Sequence, residues 1–130
     1  MKGMYQETTH EIQVQVNPKY MPEHSKPQQG LHVFTYRIRI TNIGPIPKQL
    51  RSRHWIITDG NGQAQEIKGP GVIGEQPILS SGESFEYESF CPLSTPTGNM
   101  RGTYVMVDEA GREYQIKIPL FFLRDLRNLH

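Results

Sequence analysis

The chain contains several short stretches in which apolar and polar residues alternate, most of them bounded by glycine or proline. In residues 31–41, every second side chain from Phe34 to Ile40 is apolar, and the side chains between them are threonine or arginine. Alternation with a period of two is typical of a β-strand that buries one face and exposes the other. The same pattern predicts further strands at residues 9–16, 50–58, 63–68, 84–91, 102–108 and 112–119.

Turn-forming residues separate these stretches, since the chain has 12 glycines and 10 prolines. The segment Asp59-Gly60-Asn61-Gly62 contains both dipeptides that are most typical of tight β-hairpin turns. About seven strands with turns at this spacing predict an all-β protein with an immunoglobulin-like β-sandwich. Trp55, the only tryptophan of the chain, is expected to anchor the core from a central strand.

We expect a single domain over residues 1–130, with a folded core at about residues 5–123 and a tail at 124–130. A domain of this length buries roughly two-thirds of the surface of its unfolded chain. Residues 17–30 contain three prolines and predict a polar loop. Leucines spaced three apart in residues 122–129 predict a short C-terminal helical turn.

Charge and cysteine content exclude several classes of protein. There are 14 lysines and arginines against 13 aspartates and glutamates, which argues against a polybasic protein that binds nucleic acid specifically. The single cysteine, Cys91, excludes an internal disulfide and a multi-cysteine zinc site, and it indicates a reducing compartment. No secretory signal and no apolar stretch of the about 20 residues that span a membrane are visible. The expected location is the cytoplasm.

Gly69, Gly71 and Gly74 form a G-x-G-x-x-G string. In a dinucleotide site such glycines let the backbone approach a pyrophosphate at the N-terminus of a helix. Here Pro77 and the segment Ser80-Ser81-Gly82 exclude a following helix of useful length. A nest of backbone amides that binds phosphate is one interpretation, and a loop that requires positive φ between two strands is the one we favour.

The sequence lacks a pattern typical of catalysis or of a metal site. No two histidines are two apart on a predicted strand or four apart on a helix, and we expect no metal site. Cys91 precedes a proline without an activating group nearby, and no serine lies in a G-x-S-x-G elbow. We therefore expect no enzymatic activity and no cofactor. The histidines are His10, His24, His32, His54 and His130, of which folding could still bring His10, His32 and His54 onto neighbouring strands.

Basic residues form modest clusters, at Arg37 and Arg39 on one predicted strand and within residues 48–53 on another. Solvated surface charge is the usual explanation of such clusters. A positive face for an acidic peptide or phosphate is the alternative, if the two strands are neighbours. A homodimer is also compatible with the sequence, because a long strand such as residues 31–41 could pair at a sheet edge.

Longer motifs extend over about residues 30–123. They include the segment Gly69-Pro70-Gly71-Val72-Ile73-Gly74-Glu75-Gln76-Pro77-Ile78-Leu79, which contains the glycine string. In order and spacing these motifs resemble the bacterial ApaG family, also called CorD. The other matching segments are Arg53-His54-Trp55-Ile56-Ile57-Thr58-Asp59, Gly82-Glu83-Ser84-Phe85-Glu86-Tyr87-Glu88-Ser89, Thr95-Pro96-Thr97-Gly98-Asn99-Met100-Arg101-Gly102-Thr103-Tyr104 and Ile118-Pro119-Leu120-Phe121-Phe122-Leu123.

The resemblance implies a fibronectin type III-like β-sandwich, in agreement with the strand pattern. No enzymatic activity is established for the family, whose bacterial gene commonly neighbours those of a diadenosine-tetraphosphate hydrolase and an rRNA dimethyltransferase. Its second name reflects an association with cobalt and magnesium sensitivity. Related domains in eukaryotic F-box proteins and in a polymerase-delta-interacting protein resemble partner-recognition modules. This chain has Phe90 where many members carry glycine, a large side chain that could fill or cover the surface there.

Three functional hypotheses follow. The first is a non-catalytic module that binds a protein or peptide partner through exposed sheet edges, residues 69–74 and the loop that contains Thr95, Pro96 and Gly98. The second is a sensor that binds a phosphate-rich nucleotide at the three glycines of the string, which the missing helix disfavours. The third is a role in divalent-cation homeostasis, which is supported by the second name of the family and by the histidines.

Overall fold

The computed structural model describes residues 4–125, most of which lie in β-strands or tight turns. No helix within these residues is long and apolar enough to cross a membrane. The described strands are β1 (Tyr5–Thr9), β2 (Ile12–Tyr20), β3 (His32–Asn42), β4 (Lys48–Asp59), β5 (Ala64–Pro70), β6 (Ile78–Leu79), β7 (Ser84–Leu93), β8 (Thr97–Val107) and β9 (Glu113–Arg124). Two single-turn 3₁₀ helices, Pro22–His24 and Pro27–Gln29, connect β2 to β3.

The strands form two antiparallel sheets that pack face to face. The first sheet has the order β1-β2-β3-β7, and the second has the order β5-β4-β8-β9, with the short β6 paired to the start of β4. This arrangement is the all-β sandwich that the alternating pattern predicts. The fold class is confirmed, with nine described strands in place of about seven.

The inner faces of the two sheets form one hydrophobic core. Trp55 in β4 is 2% exposed. Its ring meets Tyr36 of the first sheet edge-on at a centroid distance of 5.4 Å, and Tyr104 and Phe121 of the second sheet at 6.5 and 6.0 Å. Edge-to-face contacts of this kind stabilise the fold beyond the free energy gained from burial. The expectation that Trp55 anchors the core is confirmed.

The sandwich is closed along one side and open along the other. On the closed side, the ring of Tyr5 in β1 contacts Phe121 in β9 at a centroid distance of 6.1 Å. On the open side the edge strands are β5 and β7. Ile67 of β5 is paired with the buried Trp55, so it lies on the inner face, yet it is 40% exposed. An inward-facing isoleucine with this exposure shows that the first sheet does not cover β5.

Two strands extend into segments for which the sequence predicted a loop and a helical turn. β2 continues through residues 17–20, where sequence analysis predicted a loop because of its prolines. Pro18 is tolerated there because β1 begins at Tyr5, the partner of Val16, so the position of the missing N–H of Pro18 faces no strand within residues 4–125. The predicted helical turn at residues 122–129 is wrong for its first three residues, which complete β9. Residues 126–130, most of the predicted tail, lie outside the described part of the chain.

The structure decides two alternatives that the sequence of the arginine-rich strands left open. Residues 31–41 could have paired at the edge of a homodimer, but β3 lies between β2 and β7 and has no free edge. Arg37 and Arg39 lie in the first sheet and residues 48–53 in β4 of the second, so the two clusters do not form one positive face. Within their own sheet the two arginines lie opposite Glu88 and Glu86 of β7.

Replacing Trp55 by alanine is expected to destabilise the protein by about 3–5 kcal/mol, because the change removes ring contacts to both sheets and leaves a cavity. The measurement is the free energy of unfolding in urea. Leu120 in β9 is 47% exposed and provides the control, since Leu120→Ala should change stability by less than about 0.5 kcal/mol. A Trp55→Ala protein as stable as the wild type would contradict the assigned role.

Candidate binding groove at the open side

Every second residue of β5 has backbone groups that point away from β4, its partner strand in the described part of the chain. The Gly71 N–H donates a hydrogen bond to the Arg51 carbonyl (2.8 Å), in the same register as the β4–β5 pairs. The odd-numbered residues of β5 therefore direct their backbone N–H and C=O groups toward β4. Because the direction alternates along an antiparallel strand, the even-numbered residues direct N–H and C=O to the free edge. These residues are Ala64, Glu66 and Lys68, and the edge ends at Pro70, which has no N–H.

The facing edge of β7 is built in the same way. The Asn42 N–H donates a hydrogen bond to the Glu83 carbonyl (3.0 Å), in the same register as the β3–β7 pairs. The odd-numbered residues of β7 therefore direct their backbone N–H and C=O groups toward β3. The even-numbered residues therefore direct their backbone groups to the free edge. One of them is Pro92, whose missing N–H is tolerated at an edge but not inside a sheet.

A groove runs along the opening between β5 and β7, and we call it the edge groove. It consists of two adjoining cavities of about 210 and 360 Å³ that share Ile57, Gln65 and Pro92. Both cavities combine apolar and polar lining residues. The smaller cavity is also lined by Tyr36, Arg53, Trp55, Ile67, Ser89, Phe90 and Cys91, and the larger by Asp59, Gln63, Ala64, Leu93 and Ser94.

Arg53 supplies the one charged side chain of the smaller cavity. It lies two residues before Trp55 on the same face of β4, and its side chain therefore points to the inner side of the sheet. Its Nη1 donates hydrogen bonds to the carbonyls of Pro70 (3.0 Å) and Gly71 (2.9 Å). No acidic side chain lines this cavity, so its charge is positive and suits an anionic group.

A group of buried tyrosines lies near Arg53. Tyr36 pairs with Ser89 across β3 and β7, and the hydroxyls of Tyr87 and Tyr104 share a short buried hydrogen bond. Burial raises the pKa of all three tyrosines, and the Arg53 guanidinium partly opposes the rise. The hydroxyls are therefore neutral at physiological pH, and they add hydrogen-bonding capacity without charge.

Cys91 lies in the wall of the smaller cavity but is only 2% exposed. Burial raises the pKa of its thiol to about 11. A cysteine acts as a nucleophile through its thiolate. At neutral pH this thiol is protonated, and it packs as a small apolar side chain.

The glycine string lies at one end of the edge groove, where β5 ends. Gly71 and Gly74 have φ angles of 59° and 73°, and Ile73 between them has a φ of 48°. Val72 and Glu75 exchange two backbone hydrogen bonds of 2.9 Å around Ile73 and Gly74, as in a type I′ turn. The next element is the strand β6, so the string is a loop between two strands that requires positive φ.

Two of the glycines also allow close contacts. A Cβ on Gly69 would lie 2.9 Å from Nη1 of Arg53, and a Cβ on Gly71 would overlap the carbonyl oxygen of Glu75. The amides of Gly71, Val72 and Glu75 are hydrogen-bonded to backbone carbonyls, which leaves few amides for a phosphate nest. Local geometry accounts for the glycines, and a phosphate site in this loop stays a prediction.

The second predicted contact loop lies at the opposite end of the edge groove. Thr95 and Pro96 connect β7 to β8, and Thr95 Oγ1 accepts a hydrogen bond from the Gly60 amide (2.8 Å) in the turn between β4 and β5. Gly98 lies within β8, where a Cβ would be 2.6 Å from the carbonyl oxygen of Thr58. The structure thus brings the two predicted loops to the two ends of one groove. Their role in partner contact stays a prediction.

The histidines that folding could have brought together lie far apart in the topology. His10 lies in the turn between β1 and β2 against the ring of Tyr114 (5.4 Å), and His32 is buried in β3. His54 lies in β4 on the face opposite to Trp55, with its Nε2 3.4 Å from Oε1 of Glu66. Within residues 4–125, no group of three or more His, Cys, Asp or Glu could hold a metal ion.

Some groove residues were not identified by sequence analysis. Gln65 and Ile67 were assigned only to a returning strand. On the inner face of β5, Gln65 and Gly69 flank Ile67. The single apolar side chain at these three positions was the sequence signal that this face is not covered. Phe90 lies at the rim of the groove, 57% exposed, with its ring edge-on to His24 at 6.1 Å. It therefore does not fill the cavity, whose volume of about 210 Å³ remains open.

Comparison with known proteins places the chain in a family. The sequence profile of the ApaG domain matches residues 22–108. The chain belongs to the ApaG family. Protein ApaG of Bordetella pertussis is 52% identical over 121 residues, which cover 93% of this chain and 92% of that protein. Protein ApaG of Dechloromonas aromatica is 51% identical over 119 residues, which cover 92% of this chain and 94% of that protein.

Solved structures agree with the ApaG assignment. The crystal structure of the ApaA protein from Bordetella pertussis has a TM-score of 0.84 and 51% identity, covering 92% of this chain and 94% of that chain. A structural-genomics X-ray structure, target SoR45, has a TM-score of 0.86 at 40% identity, covering 92% of this chain and 91% of that chain. The C-terminal domain of Wzt, with a TM-score of 0.53 at 7% identity, shares the fold alone.

Alanine substitutions in the glycine loop test its geometry. Gly74→Ala is expected to cost about 1–2 kcal/mol, because φ is positive but the space around the Cβ position is open. Gly71→Ala is expected to cost at least about 3 kcal/mol, because its Cβ also overlaps the Glu75 carbonyl oxygen. Urea unfolding of both variants measures the difference. Equal costs at the two positions would show that the overlap is relieved without strain.

The thiol of Cys91 is expected to react slowly in the folded protein. A pKa of about 11, in place of 9.0, reduces the thiolate fraction at pH 8 by about a hundredfold. Mass spectrometry of iodoacetamide labelling should therefore show at least that reduction in rate relative to the protein in urea. Equal rates in the folded and unfolded protein would contradict the burial of this thiol.

Proposed function

We propose that this ApaG domain is a non-catalytic module that binds a protein partner through the edge groove. The observation that carries the proposal is the exposure of Ile67, which faces inward but is covered by no strand of the first sheet. The free backbone edge of β5 lies beside it. An exposed apolar side chain next to an unpaired strand edge is the kind of surface to which an extended peptide adds as a further strand.

The chemistry of the groove supports binding over catalysis. No histidine lines either cavity, and the thiol of Cys91 is buried and protonated. The one acidic residue, Asp59, uses its Oδ1 to accept the amides of Asn61 and Gln63. A nucleophile with an adjacent base, the usual requirement for covalent catalysis, is not formed by these lining residues. We place this module in the cytoplasm, as the single cysteine suggests.

A nucleotide sensor and a role in cation homeostasis have less support. The amides of the glycine loop are largely used in backbone hydrogen bonds, and the helix that would strengthen phosphate binding is replaced by β6. The described histidines are distributed over separate parts of the two sheets. Neither alternative accounts for the exposure of Ile67.

Selection from a displayed library of random short peptides tests the proposed function. Peptides enriched on the wild-type domain should lose at least about tenfold in affinity for Ile67→Glu, because a carboxylate is then placed in the apolar part of the groove. The measurement is fluorescence anisotropy with resynthesised peptides.

Leu120→Glu is the matched control, since Leu120 is an exposed aliphatic residue on β9, the opposite edge strand of the same sheet. This variant should bind the selected peptides as the wild type does. The proposal fails if no peptide is enriched, or if the enriched peptides bind the Ile67→Glu and Leu120→Glu variants equally well.

A further inference from the structure

We propose that the edge groove recognises an extended segment that carries an acidic residue two positions before an apolar residue. The segment adds to β5 as an antiparallel strand, with its carboxylate at Arg53 and its apolar side chain against Ile67. This inference rests on the proposed function and specifies the chemistry of the partner.

The edge of β5 provides the backbone half of the recognition. Ala64, Glu66 and Lys68 direct their N–H and C=O groups outward, which allows up to six hydrogen bonds to an added strand. Pro70 ends this edge because it has no N–H. Addition in the antiparallel sense is favoured, since antiparallel pairing is slightly more stable per residue than parallel pairing.

The smaller cavity provides the apolar subsite. Side chains of an added strand alternate between the two faces, so every second one enters the groove beside Gln65, Ile67 and Gly69. The cavity of about 210 Å³ lies next to Ile67, with Pro92 in its opposite wall. A side chain that enters there covers Ile67 and removes apolar surface from water, as a strand of the first sheet would do.

Arg53 provides the charged subsite. Nη1 is used to hold the Pro70 and Gly71 carbonyls, whereas Nε and Nη2 make no hydrogen bond within residues 4–125. Because no acidic side chain lines this cavity, a partner carboxylate meets a positive charge that is not neutralised. Asp59 lies at the other end of the groove and makes the same carboxylate unfavourable there.

The order of the two partner residues follows from the register. Gly69 pairs with Arg53. Ile67 lies two residues before Gly69 on the inner face of β5. An antiparallel strand runs from the Gly69 end to the Ala64 end, so the acidic residue comes first and the apolar residue follows two positions later. The edge of β7 is less suitable for such a segment, because Pro92 interrupts its row of N–H donors beside the smaller cavity.

The test uses the peptides recovered by the Ile67-dependent selection. We expect the order acidic–x–apolar to be enriched among them, and replacement of the acidic residue by its amide to weaken binding at least about tenfold. N-methylation at the backbone amides that face β5 should abolish binding, whereas N-methylation at the alternate amides should leave it within about twofold. Amide NMR shifts should be centred on Ala64, Glu66 and Lys68.

Arg53→Gln separates a charge contact from a structural role of the same arginine. Its side chain also holds the glycine loop, so the variant alone could weaken every peptide equally. In a double-mutant cycle, Arg53→Gln should weaken the acidic peptide at least about fivefold more than its amide counterpart. Arg53→Lys should restore part of this difference, because it keeps the charge.

The outcomes distinguish the two levels of the proposal. Enriched peptides that depend on Ile67 but show no acidic preference, or that tolerate N-methylation at every position, overturn this inference and leave the proposed function intact. Equal weakening of acidic and amide peptides by Arg53→Gln also overturns it. Failure to recover any Ile67-dependent peptide refutes the proposed function, and this inference with it.

Discussion

The packing of the Trp55 ring against aromatic side chains of both sheets determines which face of β4 is turned inward. Because side chains on a strand alternate, this orientation also turns Arg53 toward the space between the sheets. Arg53 then reaches the carbonyls of Pro70 and Gly71 and holds the end of β5. The inward face of β4, the position of the positive charge and the attachment of the glycine loop to Arg53 therefore all depend on one buried ring.

The difference between the two sides of the sandwich follows from what each edge strand offers to the opposite sheet. On the closed side, Tyr5 brings an aromatic ring to Phe121, and the contact buries apolar surface on both strands. On the open side, Gln65 and Gly69 flank Ile67 on the inner face of β5. Because Gln65 and Gly69 offer little apolar surface to bury, covering this strand with the first sheet would add little stability. The groove therefore remains open.

Much of the fold could be predicted because a half-buried strand must present apolar side chains at every second position. β1 and β6 were missed, the first because Tyr5–Thr9 is mostly polar and the second because two residues carry no periodicity. The turn at Gly71 and Gly74 was predictable, since positive φ restricts the choice of residue. The edge groove was not, because the order of strands in a sheet decides which edges stay unpaired. Alternation alone does not specify that order.

Pro70 and Pro92 limit what the open side of the sandwich can become. An unpaired strand edge is a template for further strands, and two such edges side by side would favour growth into filaments. A proline at the end of one edge and within the other interrupts the row of N–H donors that such growth requires. The usable part of β5 is the five residues from Ala64 to Lys68, about 17 Å of extended chain. Pro70 and Pro92 therefore limit growth of the sheets at both edges, and Pro70 also sets the length of edge that the proposed partner strand can use.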